Sequence, residues 1–135
     1  MITLLEPFSI LIIDGNALKV ERVDGNVFGG FCRCGGIMVQ KAWIEERILI
    51  SECEKCWRVE ALIFNGRKLV DRLEVKVIYR QNIDEFLRDL LSPAELEAIY
   101  RKARNSTYNY NAFSRAKRKL EELKIDVNEI IGLLR

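Results

Sequence analysis

The sequence predicts an α+β chain: a β-rich N-terminal part of about 80 residues arranged as hairpins or a meander, followed by a small C-terminal helical subdomain. Three observations predict it. Apolar runs with period-two alternation fill residues 8–80, apolar residues recur at helical spacing after Arg80, and the four cysteines are confined to residues 32–56. Taken as domains, the split falls at residues 1–81 and 82–135, and the helices are expected to stand alone or to pack on the sheet.

The strand signals come in order. SILII, ALKVERV, ILISE, WRVEALIF and LVDRLEVKVI are rich in Ile, Val and Leu, the residues that fit a pleated, half-buried surface. In the last run Leu69, Leu73, Val75 and Val77 set up the alternation, with Glu74 and Lys76 between them. Asp14-Gly15-Asn16 and Asp24-Gly25-Asn26 flank ALKVERV, and Asn65-Gly66 separates two later runs. Such dipeptides tolerate the positive φ of tight hairpin turns, so all three are expected to be hairpin turns. The spacing of the two DGN sites is not that of an EF-hand loop.

The helical signals follow Arg80. DEFLRDLL reads as one short helix. Ser92 is the expected N-cap of the next, with Pro93 at its first position, Glu95 closing a capping box, and Leu96, Ile99, Tyr100 and Ala103 as its apolar stripe. The polar run NSTYNYN breaks that helix. Asn111 is expected to cap a third, whose apolar face is Phe113, Ala116, Leu120 and Leu123. Asp126 and Glu129 mark the start of a last helix carrying Ile130, Ile131 and Leu134.

Composition narrows the function classes. The chain has 135 residues, 49% hydrophobic and 31% charged, with a net charge of +2, a profile of a folded rather than a disordered protein. The run LLEPFSILII lacks a basic leader, is broken by Glu6 and Pro7, and ends at Asp14. Neither a signal peptide nor a membrane span is expected, and the expected location is cytoplasmic. The chain contains no histidine, which removes Ser-His-Asp and Cys-His catalysis and every imidazole metal ligand. It has no P-loop, no G-x-G-x-x-G and no G-x-S-x-G. No enzyme and no small-molecule substrate are expected.

The cysteines carry the clearest chemistry. Cys32-x-Cys34 and Cys53-x-x-Cys56 are two tight pairs with eighteen residues between them. Each pair can offer two thiolates to one ion, and a strand pair over IMVQKAWIEERILISE would return the second pair to the first. Gly35 and Gly36 leave room for backbone amides to turn toward the sulfurs. Nothing marks the chain for an oxidising compartment, which argues against disulfides. The expectation is a structural metal site with Cys32, Cys34, Cys53 and Cys56 as ligands, zinc favoured over iron. With four protein ligands no coordination position is left for a catalytic water.

Two knuckles of thiolates joined by a β-hairpin over residues 32–56 resemble the zinc-ribbon, or rubredoxin-like, superfamily. The first knuckle departs from that family in being C-x-C rather than C-x-x-C. The resemblance implies a structural zinc and, because zinc ribbons often serve transcription, translation and RNA processing, an association with nucleic acid.

A second segment points the same way. Residues 101–119 hold seven basic side chains (Arg101, Lys102, Arg104, Arg115, Lys117, Arg118 and Lys119) and no Asp or Glu, whereas the rest of the chain holds 15 basic and 20 acidic residues. Tyr108 and Tyr110 are interleaved with asparagines, so the segment could meet phosphates while adding stacking and hydrogen bonds. Its order of helix, turn and basic helix over residues 92–125 loosely resembles a helix-turn-helix, with a turn longer than usual. The sequence therefore predicts a zinc-ribbon nucleic-acid-binding protein, a DNA-binding regulator or accessory factor. The alternative is a zinc-stabilised protein–protein interaction or assembly module, including a homodimer, that does not bind nucleic acid.

Overall fold

The computed structural model describes residues 2–135. Its strands are β1 (Ile2–Leu5), β2 (Ile10–Ile13), β3 (Asn16–Lys19), β4 (Glu21–Arg22), β5 (Phe28–Phe31), β6 (Ile37–Ile44), β7 (Ile48–Cys53), β8 (Val59–Asn65) and β9 (Lys68–Ile78). Four helices follow: α1 (Ile83–Leu90), α2 (Pro93–Ala103), α3 (Tyr110–Glu122) and α4 (Val127–Leu134). The chain divides into two compact units, one ending at Val77 and the other running Ile78–Arg135. Among the described residues no helix is long and apolar enough to cross a membrane.

The strands form one sheet in the order β3-β2-β1-β9-β8-β7-β6-β4, with β5 added to β6. Its two ends, β3 and β4, are consecutive in the chain with only Val20 between them. Residues 16–22 thus pair with β2 through Ala17 and Leu18 and with β6 through Glu21 and Arg22. One short segment lies on both edges, so the sheet is a nearly closed barrel. Closure removes the unpaired edges that would recruit another chain. Arg22 locks the corner, donating to Ser9 Oγ and Glu6 Oε1, both at 2.7 Å. Leu11, Ile50 and Ala61 are fully buried in the core that this barrel encloses, together with Ile2, Leu4, Ile44 and Val75.

Several expectations need correction. ALKVERV is not one strand, because the chain changes neighbours at Val20. The second DGN is not a hairpin turn. β4 and β5 both run antiparallel to β6, so Asp24-Gly25-Asn26 interrupts a single edge instead of reversing the chain. The first DGN and Asn65-Gly66 do make hairpins, with Asp14 and Gly15 left-handed at φ 48° and 80° and Gly66 at 63°. β1 and β5 were not expected: β1 is four residues long and runs into Pro7, and the Gly29-Gly30 of β5 reads as a loop. The β8–β9 register shifts at Ile63 and Phe64 of β8, opposite Asp71 and Leu69 of β9, and the expected apolar face of β9 is not uniformly buried: Leu69 and Leu73 are exposed while Val75 is buried.

The helical unit is built by its caps. Ser92 Oγ accepts from the Glu95 amide and Glu95 Oε1 accepts from the Ser92 amide, a complete capping box behind Pro93. The third helix is capped by Asn109, whose Oδ1 accepts from the Ala112 amide at 3.0 Å, rather than by Asn111, which lies inside the helix. Asp126 caps α4 by accepting from Asn128. α2 ends with Asn105 left-handed and Ser106 donating back to the Arg101 carbonyl, and α3 ends the same way through Lys124 and Ile125. α2 packs against α3 and α4, burying Ala98, Ile99, Ala116, Leu120 and Ile130. The Tyr100 hydroxyl donates to Asp84 at 2.6 Å and ties α2 to α1.

Candidate metal centre

β6 and β7 form a hairpin whose register runs from Ile44 opposite Ile48 to Met38 opposite Cys53. At its closed end Glu45 and Glu46 are both left-handed. At its open end the hairpin delivers the two cysteine pairs: Cys32 and Cys34 just before β6, Cys53 and Cys56 at and after the end of β7. Both strands continue into the barrel wall, β6 pairing with β4 and β5 and β7 with β8. The cysteines therefore sit on a sheet and not on a free-standing ribbon.

The four sulfurs lie within 4.8 Å of one another. Cys34 and Cys53 Sγ are 3.5 Å apart and Cys32 and Cys56 Sγ 3.6 Å, each pair spanning the two knuckles. Four thiolates about 2.3 Å from one tetrahedral ion stand about 3.8 Å apart, so the cluster has the size of a tetrathiolate site. No disulfide is present among these cysteines. The four thiols are close enough to hold a metal ion.

Backbone geometry explains how each knuckle forms. In the first, the Cys32 amide donates to the Gly36 carbonyl and the Gly35 amide to the Cys32 carbonyl, with Gly35 left-handed. In the second, the Cys53 amide donates to Arg58 and the Trp57 amide to Cys53, with Trp57 left-handed at φ 64°. The Gly36 amide donates to Cys34 Sγ, and the Lys55 and Cys56 amides donate to Cys53 Sγ, at 3.3–3.4 Å. A Cβ at Gly36 would stand 2.7 Å from Cys53 Sγ and 2.7 Å from Lys55 Cβ, so no other residue fits there without movement.

The same donors set the electrostatics. The amide of Cys56, opposed by desolvation and helped by the Lys55 amide, brings the Cys53 thiol down to about 6. At Cys56 the Arg58 amide pulls downward but is outweighed by desolvation and the three neighbouring sulfurs, which push it up to about 11. Cys53 is thus drawn toward the thiolate and Cys56 toward the neutral thiol, the latter a shift that a bound cation would reverse. Cys32 and Cys53 are buried while Cys34 and Cys56 are exposed, which gives an ion a route from solvent.

The predicted nucleic-acid residues lie in the helical unit and are spread among partners. Lys119 Nζ reaches the buried Glu95 carboxylate at 2.7 Å and Arg115 Nε lies 3.6 Å from its other oxygen. Arg101 pairs with Glu97 and donates to the Thr107 carbonyl. Lys102 sits over the Tyr108 ring at 5.2 Å, and Tyr108 packs on Phe113. Arg104 donates to the Tyr100 carbonyl, and Lys117 stands 3.9 Å from Glu121. Arg118 and Tyr110 are exposed. The window that is acid-free in sequence is met in space by Glu95, Glu97 and Glu121, which lie just outside it.

The sequence reading also passed over four exposed apolar side chains beside the thiols: Phe28, Phe31, Ile37 and Trp57. A signal was present, since Phe31 precedes Cys32 and Trp57 follows Cys56 directly.

Comparison with known proteins gives a consistent architecture. The family described as the AF0631-like N-terminal beta-barrel domain matches residues 1–77, and the AF0631-like C-terminal four-helix domain matches residues 80–132. A protein of Archaeoglobus fulgidus described as uncharacterized is 41% identical over 138 residues, covering all of both chains. No solved structure matches.

Proposed function

The chain belongs to the AF0631-like family, and from that premise and the thiol cluster we propose that it is a zinc-stabilised, non-enzymatic protein that binds nucleic acid. Cys32, Cys34, Cys53 and Cys56 hold one structural zinc, as two zinc-ribbon knuckles set into a barrel wall. The observation that carries the metal assignment is the convergence of four sulfurs within 4.8 Å. An all-thiolate set without histidine or carboxylate suits zinc in a structural role. Apparent binding energies of such sites are on the order of 10–16 kcal/mol, enough to fix the open end of the β6–β7 hairpin. One zinc per chain by elemental analysis of protein purified without chelator is the expected result. Absence of both zinc and iron would remove the assignment, and iron at that stoichiometry would replace the metal.

The nucleic-acid part is supported by the exposed cations of α3. With Arg115 and Lys119 drawn to Glu95 and Arg101 to Glu97, the groups best placed to meet phosphates are Arg118 and Lys117 on α3, the latter only 3.9 Å from the exposed Glu121, and Lys102 and Arg104 at the end of α2. Duplex DNA is the first ligand to try. Replacing Lys117 and Arg118 by Glu should weaken binding at least tenfold and flatten its salt dependence by about two in log–log slope. Unchanged affinity in that double variant would overturn the placement. The competing reading, a zinc-stabilised protein-interaction or assembly module, is favoured by the exposed Leu69, Val70 and Leu73 of β9. It predicts a stable oligomer in light scattering and no affinity for any nucleic acid.

A further inference from the structure

The geometry points to a second contact surface, on the barrel unit itself: the rings around the thiol cluster form a platform for unpaired nucleobases. We propose that Phe28, Phe31 and Trp57 stack bases of a single strand, with Arg33, Lys55 and Arg58 meeting its phosphates. This rests on the reading of the chain as a nucleic-acid binder and adds a site and a ligand class to it.

The rings are placed by dedicated backbone features. Residues three apart in a regular strand face opposite sides of a sheet. Phe28 and Phe31 instead stand opposite Val39 and Ile37, two residues apart on β6, because the register shifts between them. The irregularity is made by Gly29 and Gly30. A Cβ on Gly29 would meet Ser51 Oγ at 2.6 Å and the Gln40 amide nitrogen at 2.8 Å, and Gly30 is left-handed at φ 109°. Ser51 Oγ, fully buried, donates to the Gly29 carbonyl and pins the bulge from beneath. The outcome is a T-shaped pair of phenyl rings 5.2 Å apart on one face, with Ile37 beside Phe31.

Trp57 is placed against the preference of its backbone. The left-handed conformation costs a bulky residue on the order of 1–2 kcal/mol relative to glycine. Burial does not offset that cost, because Trp57 is 68% exposed and Phe31 65%. Trp57 and Phe31 adjoin Cys56 and Cys32 in the chain, and the sulfurs of those two are 3.6 Å apart, so both rings flank the same thiol cluster. Large apolar side chains grouped in the open mark an interaction site.

Charge admits a polyanion here. Arg33, Lys55 and Arg58 are exposed in the two knuckles, where Glu54 is the one acidic residue. They offset Glu54 and the net negative charge of four thiolates holding a divalent ion, so the knuckles are neutral in sum and a phosphate meets exposed cations without net repulsion. Rings flanked by cations match a polyanion carrying aromatic bases, and the faces of those bases are accessible in single strands.

The test uses the full-length metal-loaded chain and fluorescein-labelled 12-mers of oligo(dT), oligo(rU) and a duplex, read by anisotropy. Expected is tighter binding of a single strand than of the duplex, and the preferred sugar tells DNA from RNA. Phe31→Ala and Trp57→Gly should each weaken single-strand binding about tenfold with metal content unchanged. Trp57→Gly should also raise or preserve the melting temperature, a sign opposite to that of a merely structural tryptophan. Equal affinity for duplex and single strands, or ring variants that bind as wild type does, overturns the platform. If the Lys117/Arg118 variant alone loses binding, the helical face stands and this site falls. If wild type binds no oligonucleotide, or if Phe31→Ala instead dissolves a dimer seen by light scattering, the surface serves a protein partner and the proposal is wrong.

Discussion

Replacing Glu95 tests the helical unit most directly, because one buried carboxylate serves both a cap and an ion pair. Glu95 is 2% exposed. Its Oε1 accepts from the Ser92 amide at 2.9 Å and from Lys119 Nζ at 2.7 Å. Removing the cap contact costs about 1 kcal/mol. Losing the charged hydrogen bond costs about 1.5–3 kcal/mol, toward the lower end because the Lys119 side chain is 41% exposed and regains water. Glu95→Ala should therefore destabilise the unit by about 3 kcal/mol, or about 10–20 °C in melting temperature for a unit of this size. Glu95→Gln, which keeps one acceptor, should cost less. All four α-helices lie in this unit, so urea unfolding followed at 222 nm reports on it. Burial opposes the charge on Glu95, but Lys119 and then Ser92 outweigh it and hold the carboxyl below its ordinary 4.5. The contribution is therefore complete above about pH 4.5 and is lost as pH falls through the folded value. A Glu95→Ala protein within about 0.5 kcal/mol of wild type, or a Glu95→Gln difference that does not shrink below pH 4, would refute this account.

Two further perturbations probe the barrel unit. Gly36→Ala should reduce metal content and free thiol protection together, since its Cβ meets Cys53 Sγ and Lys55 Cβ at 2.7 Å; metal analysis and thiol titration of the folded protein check this, and full loading would show that the knuckle yields. Arg72 pairs with the buried Glu60 at 2.8 Å and also donates to the Phe31 carbonyl at 2.7 Å, so Arg72→Met leaves a buried carboxylate alone. A loss of about 3 kcal/mol is expected in chemical unfolding, with Glu60→Gln in the same background recovering part of it.

Features governed by short-range rules were readable in the chain. Ser92-Pro93 and Glu95 make their capping box because every participant lies within four residues, and Asp126 caps α4 for the same reason. Even there the reading slipped by two residues, from Asn109 to Asn111, because both asparagines are chemically able to cap and packing of Ala112, Ala116 and Leu120 decides the register. The two cysteine pairs could be brought together on paper because a hairpin returns to its start. That each strand of the hairpin is also held from its other side could not, because β4 meets β6 across the intervening β5 and first knuckle, and β8 meets β7 across the second knuckle, and neither link carries a dipeptide that marks a strand pairing.

Alone, the sequence determined the change from strands to helices, the helix caps and the clustering of thiols, since period, cap chemistry and spacing act between near neighbours. Tertiary structure alone decided three things. Residues 16–22 close the barrel by pairing with two strands far apart in sequence. Glu95 takes Lys119 and Arg115 out of a face that looked uniformly basic, across a turn whose geometry no local preference fixes. The Gly29-Gly30 bulge and the left-handed Trp57 leave three aromatic rings in solvent, because exposure is a property of what does not pack against a residue, and that is settled only when the rest of the chain is in place.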